Sequence, residues 1–115
     1  MITLGQIVST LQLEVAAGAE QLDREVNGGY ASDLLSYVMG RAKKGNVWVT
    51  LQSHVNIVAV ATVAGLAAII VTEGSKPDTP TLAKAEEEQI PILRTPKTTF
   101  SVVSELAALG VSGTD

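Results

Sequence analysis

Three groups of polar residues in this chain have the chemistry to bind a small anion. Each group ends or follows an apolar segment, and together they carry hydroxyl, amide, imidazole, carboxylate and guanidinium groups. An arginine pairs with phosphate or carboxylate through charge-assisted hydrogen bonds, and backbone N–H groups at helix starts add donors. Serine, threonine and glycine also occupy ordinary turns and caps, so that interpretation stays open. The ligand-binding candidates are Thr50, Gln52, Ser53, His54, Asn56, Thr72, Glu73, Gly74, Arg94 and Thr95.

The same residues do not form a recognisable catalytic or metal-binding set. His54 is the only histidine and the chain has no cysteine, which leaves too few ligands for a metal centre. Ser53 beside His54 lacks the pattern of a nucleophile elbow. The segment 74–76 lacks the upstream glycine of a P-loop, and Pro77 stands where a P-loop has Ser or Thr. We therefore predict no catalytic residues and no metal site, and the sequence identifies no cofactor.

Composition and charge narrow the classes of partner. Eight basic residues against twelve acidic ones give a net charge of -4, which opposes attraction to phosphate backbones, so we expect no nucleic-acid partner. The 115 residues fit one domain, predicted over residues 1–110 with a flexible tail at residues 111–115. The first residues lack the pattern of a signal peptide and cysteine is absent, so we expect a cytoplasmic protein.

One uncharged interval resembles a membrane span by its length. Residues 45–72 contain no Asp, Glu, Lys or Arg. However, several polar side chains between Gln52 and Thr62 interrupt the interval, and Gly65 divides its most apolar part. We therefore predict a buried strand, a helix and a second strand rather than a membrane segment.

The hydrophobic pattern predicts the elements that position these polar groups. Helical periodicity and capping residues predict helices that begin near Thr3, Ser32, Ser53, Asp78 and Thr98. Segments with β-branched or alternating residues predict strands at 13–17, 24–26, 46–51, 66–72 and 90–93. Strands that alternate with helices form a mostly parallel sheet, so we predict a three-layer α/β/α domain with a central sheet of four to five strands. Ligands of such sheets collect beyond the carboxyl ends of the strands, where the candidates lie.

The segment from Asp23 to Asp33 combines charged side chains with two adjacent glycines. Gly28 and Gly29 permit positive φ, so we predict a turn there, and we predict that Ser32 caps the following helix. A structural turn or a contact between subunits explains this segment at least as well as a ligand site. The residues assigned to the turn or dimer contact are Asp23, Arg24, Asn27, Gly28, Gly29, Tyr30, Ser32 and Asp33.

Three segments of the chain together resemble the DRTGG domain family. They are residues 23–35, 48–61 and 85–96, in the expected order, so the resemblance covers nearly the whole chain. One departure is visible, because Asn27 stands where the family name has Thr. The resemblance implies a fold similar to the N-terminal domain of HPr kinase/phosphorylase, without the P-loop catalytic domain of that enzyme.

In that family the domain stands alone or is joined to CBS pairs, pyrophosphatases or acyltransferases, where it looks regulatory or oligomer-forming. Stand-alone members are typical of anaerobic bacteria, some beside iron-hydrogenase genes. Together with the polar strand ends and the missing catalytic set, the resemblance favours a nonenzymatic regulatory module that forms a homodimer and senses a small anionic metabolite or nucleotide. Two alternatives stay open. One is an interaction adaptor for a partner protein, linked to an iron-hydrogenase system, and the other is a small phosphate-handling enzyme that uses His54 and Arg94.

Overall fold

The computed structural model describes residues 1–115, which fold into seven strands and five helices. The strands are β1 (Ile2–Thr3), β2 (Glu14–Ala17), β3 (Glu25–Val26), β4 (Gly28–Ala31), β5 (Asn46–Thr50), β6 (Ala68–Val71) and β7 (Ile92–Arg94). The helices are α1 (Leu4–Leu11), α2 (Leu35–Arg41), α3 (Asn56–Ala64), α4 (Thr79–Glu88) and α5 (Thr99–Ala108). A short 3-10 turn, Ala19–Gln21, follows β2.

Five of the strands form one sheet in the order β2-β7-β6-β5-β4. The four strands from β4 to β7 are parallel, whereas β2 pairs antiparallel with β7 at one edge. Strands β1 and β3 form a separate antiparallel ribbon. Parallel neighbours need crossover connections, and α2, α3 and α4 supply the three crossovers. The predicted three-layer α/β/α domain with a mostly parallel sheet is confirmed.

Two hydrophobic cores lie on opposite faces of the sheet. One packs α1 and α5 against the sheet, and the other packs α2, α3 and α4 against it. Strand β6 contributes to both, because Ile70 points into the first core and Ile69 into the second, and all four of its residues are fully buried. This double burial explains the near-continuous apolar run in the sequence.

The uncharged interval from residue 45 to residue 72 folds as the predicted strand, helix and strand, namely β5, α3 and β6. The longest helices of the chain, α4 and α5, have ten residues each, and no helix is both long and apolar enough to cross a bilayer.

Local capping signals place three of the helix starts correctly. Thr3 forms a capping box with Gln6 at the start of α1. The Asp78 side chain accepts a hydrogen bond from a backbone N–H of α4, and Thr98 does the same for α5. Each cap satisfies a donor that the first turn of a helix leaves unpaired.

The predicted caps at Ser32 and Ser53 are wrong. Helix α2 begins at Leu35, and α3 begins at Asn56. Ser32 follows β4 directly and is hydrogen-bonded to β5, because its N–H donates to the Val49 carbonyl and its carbonyl accepts from the indole N–H of Trp48 at 2.8 Å. Two further residues therefore lie between each serine and the first residue of the helix that it was expected to cap.

The predicted turn at Gly28 and Gly29 is also wrong. Both glycines lie in β4, paired with Asn46 and Val47 of β5, and neither has a positive φ. The close approach of other groups explains the glycine at position 28, since an added Cβ would lie 3.1 Å from the Asn46 amide nitrogen and 3.2 Å from the Ser112 carbonyl oxygen. Two adjacent glycines in a sequence do not distinguish such crowding from a left-handed turn.

Part of the carboxyl-terminal segment lies beside β4. The Gly29 N–H donates to the Ser112 carbonyl at 2.9 Å, and Gly29 forms a parallel bridge with Gly113. Residues 111–113 therefore run along the outer edge of the sheet. The sequence of residues 111–113 gave no sign of this pairing, because the pairing depends on α5 returning the chain to β4.

Gly18 and Gly40 provide a matched test of packing at a glycine. Gly18 has a φ of +77°, and an added Cβ would lie 2.5 Å from the Pro91 Cα, whereas nothing lies within 4 Å of an added Cβ at Gly40 in α2. We expect Gly18→Ala to lower the free energy of unfolding by about 2 kcal/mol or more. Gly40→Ala should raise it by about 0.5–1 kcal/mol. Urea denaturation measures both, and equal effects would contradict the packing at Gly18.

Candidate functional site

The carboxyl ends of β4 to β7 meet at one edge of the sheet, which we call the rim and define by residues 31–34, 50–56, 72–78 and 94–98. The connections after β4, β5 and β6 lead to helices on one face, whereas the connection after β7 leads to α5 on the opposite face. The exits of β6 and β7 therefore diverge. In open parallel sheets, ligands bind where neighbouring connections diverge in this way.

Backbone hydrogen bonds close this divergence. The Glu73 N–H donates to the Lys97 carbonyl at 2.8 Å, and the Gly74 N–H donates to the Thr95 carbonyl at 3.1 Å. Thr95 is buried, and its hydroxyl accepts from the Lys97 N–H. Backbone hydrogen bonds within the chain therefore join the exits of β6 and β7.

The carboxylate of Glu73 occupies the amino terminus of α5. Its Oε2 accepts from the Thr99 N–H at 2.8 Å, and the hydroxyl of the fully buried Thr72 lies 2.6 Å from that of Thr99. Glu73 has a φ of +61°, in the left-handed region that a glutamate seldom adopts. The positive end of the helix dipole is thus matched internally, and Thr72 and Glu73 have structural partners.

Asp33 ties the exit of β5 to the exit of β4. Its Oδ1 accepts from the Thr50 hydroxyl at 2.8 Å and from the Leu51 N–H at 2.9 Å. The Gln52 amide donates to the Asp33 carbonyl at 3.0 Å. Thr50 and Gln52, both predicted as ligand contacts, are therefore engaged inside the chain, and Asp33 belongs to the rim.

Ser53, His54 and Asn56 form the turn that leads into α3. The exposed His54 accepts the Asn56 N–H through its Nδ1 at 3.2 Å, and the Ser53 carbonyl accepts from the Thr81 hydroxyl of α4. These contacts are those of a turn. No group of three or more His, Cys, Asp or Glu side chains in the chain is placed to hold a metal ion.

An open pocket lined by polar residues lies at the rim, and we call it the Arg94 pocket. Its volume is about 350 Å³, and no hydrophobic residue lines it. Three of the predicted ligand residues meet there, so this part of the predicted set converges in space. The lining residues are Gln12, Glu14, Gly74, Lys76, Arg94, Thr95 and Pro96.

Two positive charges and one negative charge face the Arg94 pocket. The Arg94 guanidinium donates to the Glu14 carboxylate through Nη1 and to the Ser75 carbonyl through Nε at 3.3 Å. Glu14 reaches Arg94 because the antiparallel register of β2 and β7 places the two residues opposite each other. Lys76 is exposed and forms no ion pair. The pocket is therefore locally positive in a chain with a net charge of -4.

The residues of the motif segment divide between the two ends of β4. Asp23, Arg24 and Asn27 lie at the amino-terminal edge, where Arg24 donates to a carbonyl just before β6 and Asn27 to a carbonyl just before β5. Ser32 and Asp33 lie at the rim. The strand between them, which contains Gly28, Gly29 and Tyr30, spans about 13 Å at about 3.3 Å per residue, so the motif is not one local site.

Sequence reasoning missed Lys76 and Glu14 as pocket residues. Lys76 follows the exit of β6 within a loop that was already singled out, so its charge and position were a usable signal. Glu14 gave no such signal, because its role depends on the pairing of β2 with a strand about eighty residues later.

Asp78 caps α4 at the rim, and the hydrogen bonds of this cap change the pKa of its carboxyl group. The Thr81 hydroxyl and N–H donate to it at 2.7 and 2.9 Å, and these hydrogen bonds lower the pKa of Asp78 below its ordinary value of 3.8. A carboxyl group with a lowered folded-state pKa adds stability above its unfolded pKa. That stability is lost as the pH falls through the folded pKa.

We therefore expect Asp78→Ala to lower the melting temperature at neutral pH, and the difference from wild type to shrink as the pH falls below about 4. Thr98→Ala removes a cap that does not titrate, so its effect should stay constant with pH. Thermal melts followed by circular dichroism at a series of pH values measure both. Parallel pH profiles for the two variants would contradict the role of the Asp78 charge.

Comparison with known proteins adds evidence of two kinds. The family model of the DRTGG domain matches residues 6–109. No curated protein sequence matches the chain. Ten chains of solved structures match. One is the crystal structure of the CBS and DRTGG domains of the regulatory region of Clostridium perfringens pyrophosphatase, complexed with its activator, diadenosine tetraphosphate.

That structure is similar to this chain with a TM-score of 0.72 and 18% sequence identity, and the match covers 90% of this chain and 45% of the other. At this identity the likeness shows the fold. This chain spans less than half the length of the pyrophosphatase region. The family match is broader evidence, because it runs from α1 to the end of α5 and includes the motif segment and the rim. The chain belongs to the DRTGG domain family.

Proposed function

We propose that this chain is a nonenzymatic regulatory module that senses a small anionic ligand, with nucleotides as the first class to test. The observation that carries the proposal is the Arg94 pocket, where a guanidinium and an ammonium group face an open polar cavity at the rim. The pyrophosphatase relative contributes a second argument, because its regulatory region is complexed with a nucleotide activator.

The ion pair in the pocket can exchange its partner at low energetic cost. The Glu14 side chain is 63% exposed, and Arg94 is 23% exposed. An ion pair with one exposed partner contributes about 0–1 kcal/mol to stability. A phosphate group carries more negative charge than one carboxylate and accepts the same forked donors. It can therefore replace Glu14 while the Nε of Arg94 keeps its bond to the Ser75 carbonyl.

Lys76 supplies a positive charge that is not paired with any carboxylate of the protein. It extends from the loop after β6, next to Gly74, and has no carboxylate partner. Flexible lysines bind phosphate as point charges, whereas arginine fixes its orientation. The two residues together match a diphosphate or polyphosphate better than a single carboxylate.

The placement of His54 supports a nonenzymatic role. The phosphate-handling alternative needs His54 and Arg94 at one site, but His54 lies at the exit of β5 and does not line the Arg94 pocket. Its Nδ1 is engaged by the Asn56 N–H. The only histidine of the chain therefore lies outside the Arg94 pocket, whose cationic groups are donors for binding an anion.

A second candidate function is an adaptor for a partner protein. Exposed apolar side chains next to Asp33 favour it, since Leu34 is 60% and Leu51 is 44% exposed. A ligand sensor also acts through a partner protein that distinguishes its ligand-bound form. Both candidate functions therefore use the surface around Leu34 and Leu51. The cytoplasmic location and the link to an iron-hydrogenase system stay predictions from the sequence.

A thermal-shift experiment tests the sensing function. We expect diadenosine tetraphosphate, ATP, AMP or pyrophosphate to raise the melting temperature by about 5 °C at ten times its dissociation constant, because a ligand that binds the native state stabilises it. Lys76→Ala should reduce the apparent affinity at least tenfold. Lys84→Ala is the matched control, because Lys84 pairs with Glu87 and Glu88 on α4, outside the pocket.

No shift with any of these compounds would contradict the sensing function and favour the adaptor. A shift that Lys76→Ala leaves unchanged would place the ligand elsewhere and overturn the assignment to the Arg94 pocket.

A further inference from the structure

The charged residues of this chain are unevenly distributed along its sequence. Residues 34–72 contain Arg41, Lys43 and Lys44 and no Asp or Glu, which leaves five basic and all twelve acidic residues for the remainder of the chain. The three basic side chains are exposed, and none of them forms an ion pair. The carboxyl-terminal end of α2 is therefore a positive surface on a chain with a net charge of -4.

Arg41 is supported by an aromatic ring. Its guanidinium carbon lies 5.3 Å from the centroid of the Tyr37 ring, one turn earlier on α2. An arginine that stacks on an aromatic ring keeps the N–H donors at the edge of its guanidinium available. The guanidinium hydrogen bonds of this structure are made by Arg24 and Arg94, so the donors of Arg41 are free to bind another molecule.

Neither the helix dipole nor ion pairing explains Lys43. Arg41 lies in the last turn of α2, where a positive charge is favourable, but Lys43 follows the end of the helix. The ammonium hydrogen bonds of this structure are those of Lys97. The charge of Lys43 therefore has no structural partner.

Arg41 and Lys43 share a cavity of about 400 Å³ beside the outer edge of β4. Its other lining residues are Tyr30, Gly40, Thr114 and Asp115. The Asp115 carboxylate lies in this lining without forming an ion pair with either cation. The cavity therefore accommodates a carboxylate, and both of its cations stay available for another one.

Apolar side chains continue this surface toward the start of α2. Leu34, the residue before α2, is exposed, and Tyr37 is 51% exposed. Residues three or four apart lie on the same side of a helix, so Leu34, Tyr37 and Arg41 follow one line. At about 1.5 Å per residue this line is about 10 Å long. We call the surface formed by Leu34, Tyr37, Arg41 and Lys43 the α2 patch.

We propose that the α2 patch binds an acidic segment of a partner protein. Carboxylates of that segment pair with Arg41 and Lys43. An apolar side chain about three residues away packs against Leu34 and Tyr37, because three residues of extended chain span about 10 Å. The proposal rests on the adaptor function and gives that function the chemistry of its partner.

Charge complementarity favours a short acidic segment over an extended anionic surface. A membrane or a nucleic acid extends beyond the patch to the rest of the chain, where acidic residues outnumber basic ones by twelve to five. At physiological salt, exposed charges act over about 8 Å, whereas this chain measures 33 × 28 × 25 Å. A segment that covers only the α2 patch is attracted by its cations and is screened from most of the acidic side chains.

Fluorescence anisotropy with a labelled peptide tests the proposal on the full chain. The probe is a peptide of about eight residues that contains an Asp-Glu pair and a Leu about three residues away, which matches the length of the α2 patch. We expect it to bind, and the affinity should fall as the salt concentration rises. A peptide with Asn and Gln in place of the acidic residues should bind at least about tenfold more weakly.

Matched substitutions separate the α2 patch from the overall charge. Lys43→Gln should weaken binding of the acidic peptide about fivefold, whereas Lys84→Gln, which removes the same charge from α4, should change it less than about twofold. Arg41→Lys keeps the charge and loses the forked donors, so it should weaken binding about threefold. Tyr37→Phe keeps the ring under Arg41 and should bind like wild type.

All four positions are exposed, and circular dichroism verifies that each variant folds. A wild-type chain that does not bind the acidic peptide would overturn the proposal, as would equal losses of affinity in Lys43→Gln and Lys84→Gln. Tighter binding to phosphatidylserine vesicles or to a DNA duplex, with the same dependence on Arg41 and Lys43, would overturn the assignment to a partner protein.

The peptide experiment and the nucleotide experiment give independent results. The α2 patch shares no residue with the Arg94 pocket. Failure of the peptide to bind leaves a thermal shift with nucleotides unchanged, and absence of that shift leaves binding of the peptide unchanged. A wrong assignment of the α2 patch is therefore distinguishable from a wrong assignment of the sensing function.

Discussion

Strand β6 exposes none of its four side chains to solvent, and this burial determines how the surrounding elements are arranged. A strand that is apolar on both sides needs a layer of helices on each face and a paired strand on each edge. Its neighbours β5 and β7 run parallel to it, so the chain must return through helices between them. The same geometry brings the strand exits to one edge of the sheet. The chain leaves the apolar interior at that edge, so the residues that form the rim are polar.

Local physical chemistry explains which parts of this domain were predictable from sequence. The caps at Thr3, Asp78 and Thr98 act within four residues, and the two-sided burial of β6 shows as an apolar run, so these features were predicted correctly. The pairing of β2 with β7 and of residues 111–113 with β4 joins distant parts of the chain, and no local pattern encodes it. For the same reason the site was predicted only in part. Gly74, Arg94 and Thr95 converge, whereas the charge partner Glu14 comes from the far end of the sequence.

The rim differs from that of a typical enzyme with a parallel sheet. At the place where such enzymes hold a ligand, this chain places the carboxylate of Glu73 on the Thr99 N–H and joins the two exits by backbone hydrogen bonds. A buried threonine at each of three exits is likewise engaged within the protein. The Arg94 pocket, which is open, lies to one side of these closed exits. An arrangement of this kind suits binding that alters a surface more than it suits chemistry that requires an enclosed site.

The two outer strands of the sheet each carry a feature that limits pairing with other chains. On one side, residues 111–113 cover part of β4, including the Gly29 N–H. On the other side, the register of β2 shifts by one residue between Val15 and Ala17, and Glu14 adds a charge. Covered, bulged and charged edges are the means by which native sheets avoid growing into aggregates. Both outer edges of this sheet therefore carry features that disfavour edge-to-edge polymerisation, which matters for a domain family whose members are joined to other domains.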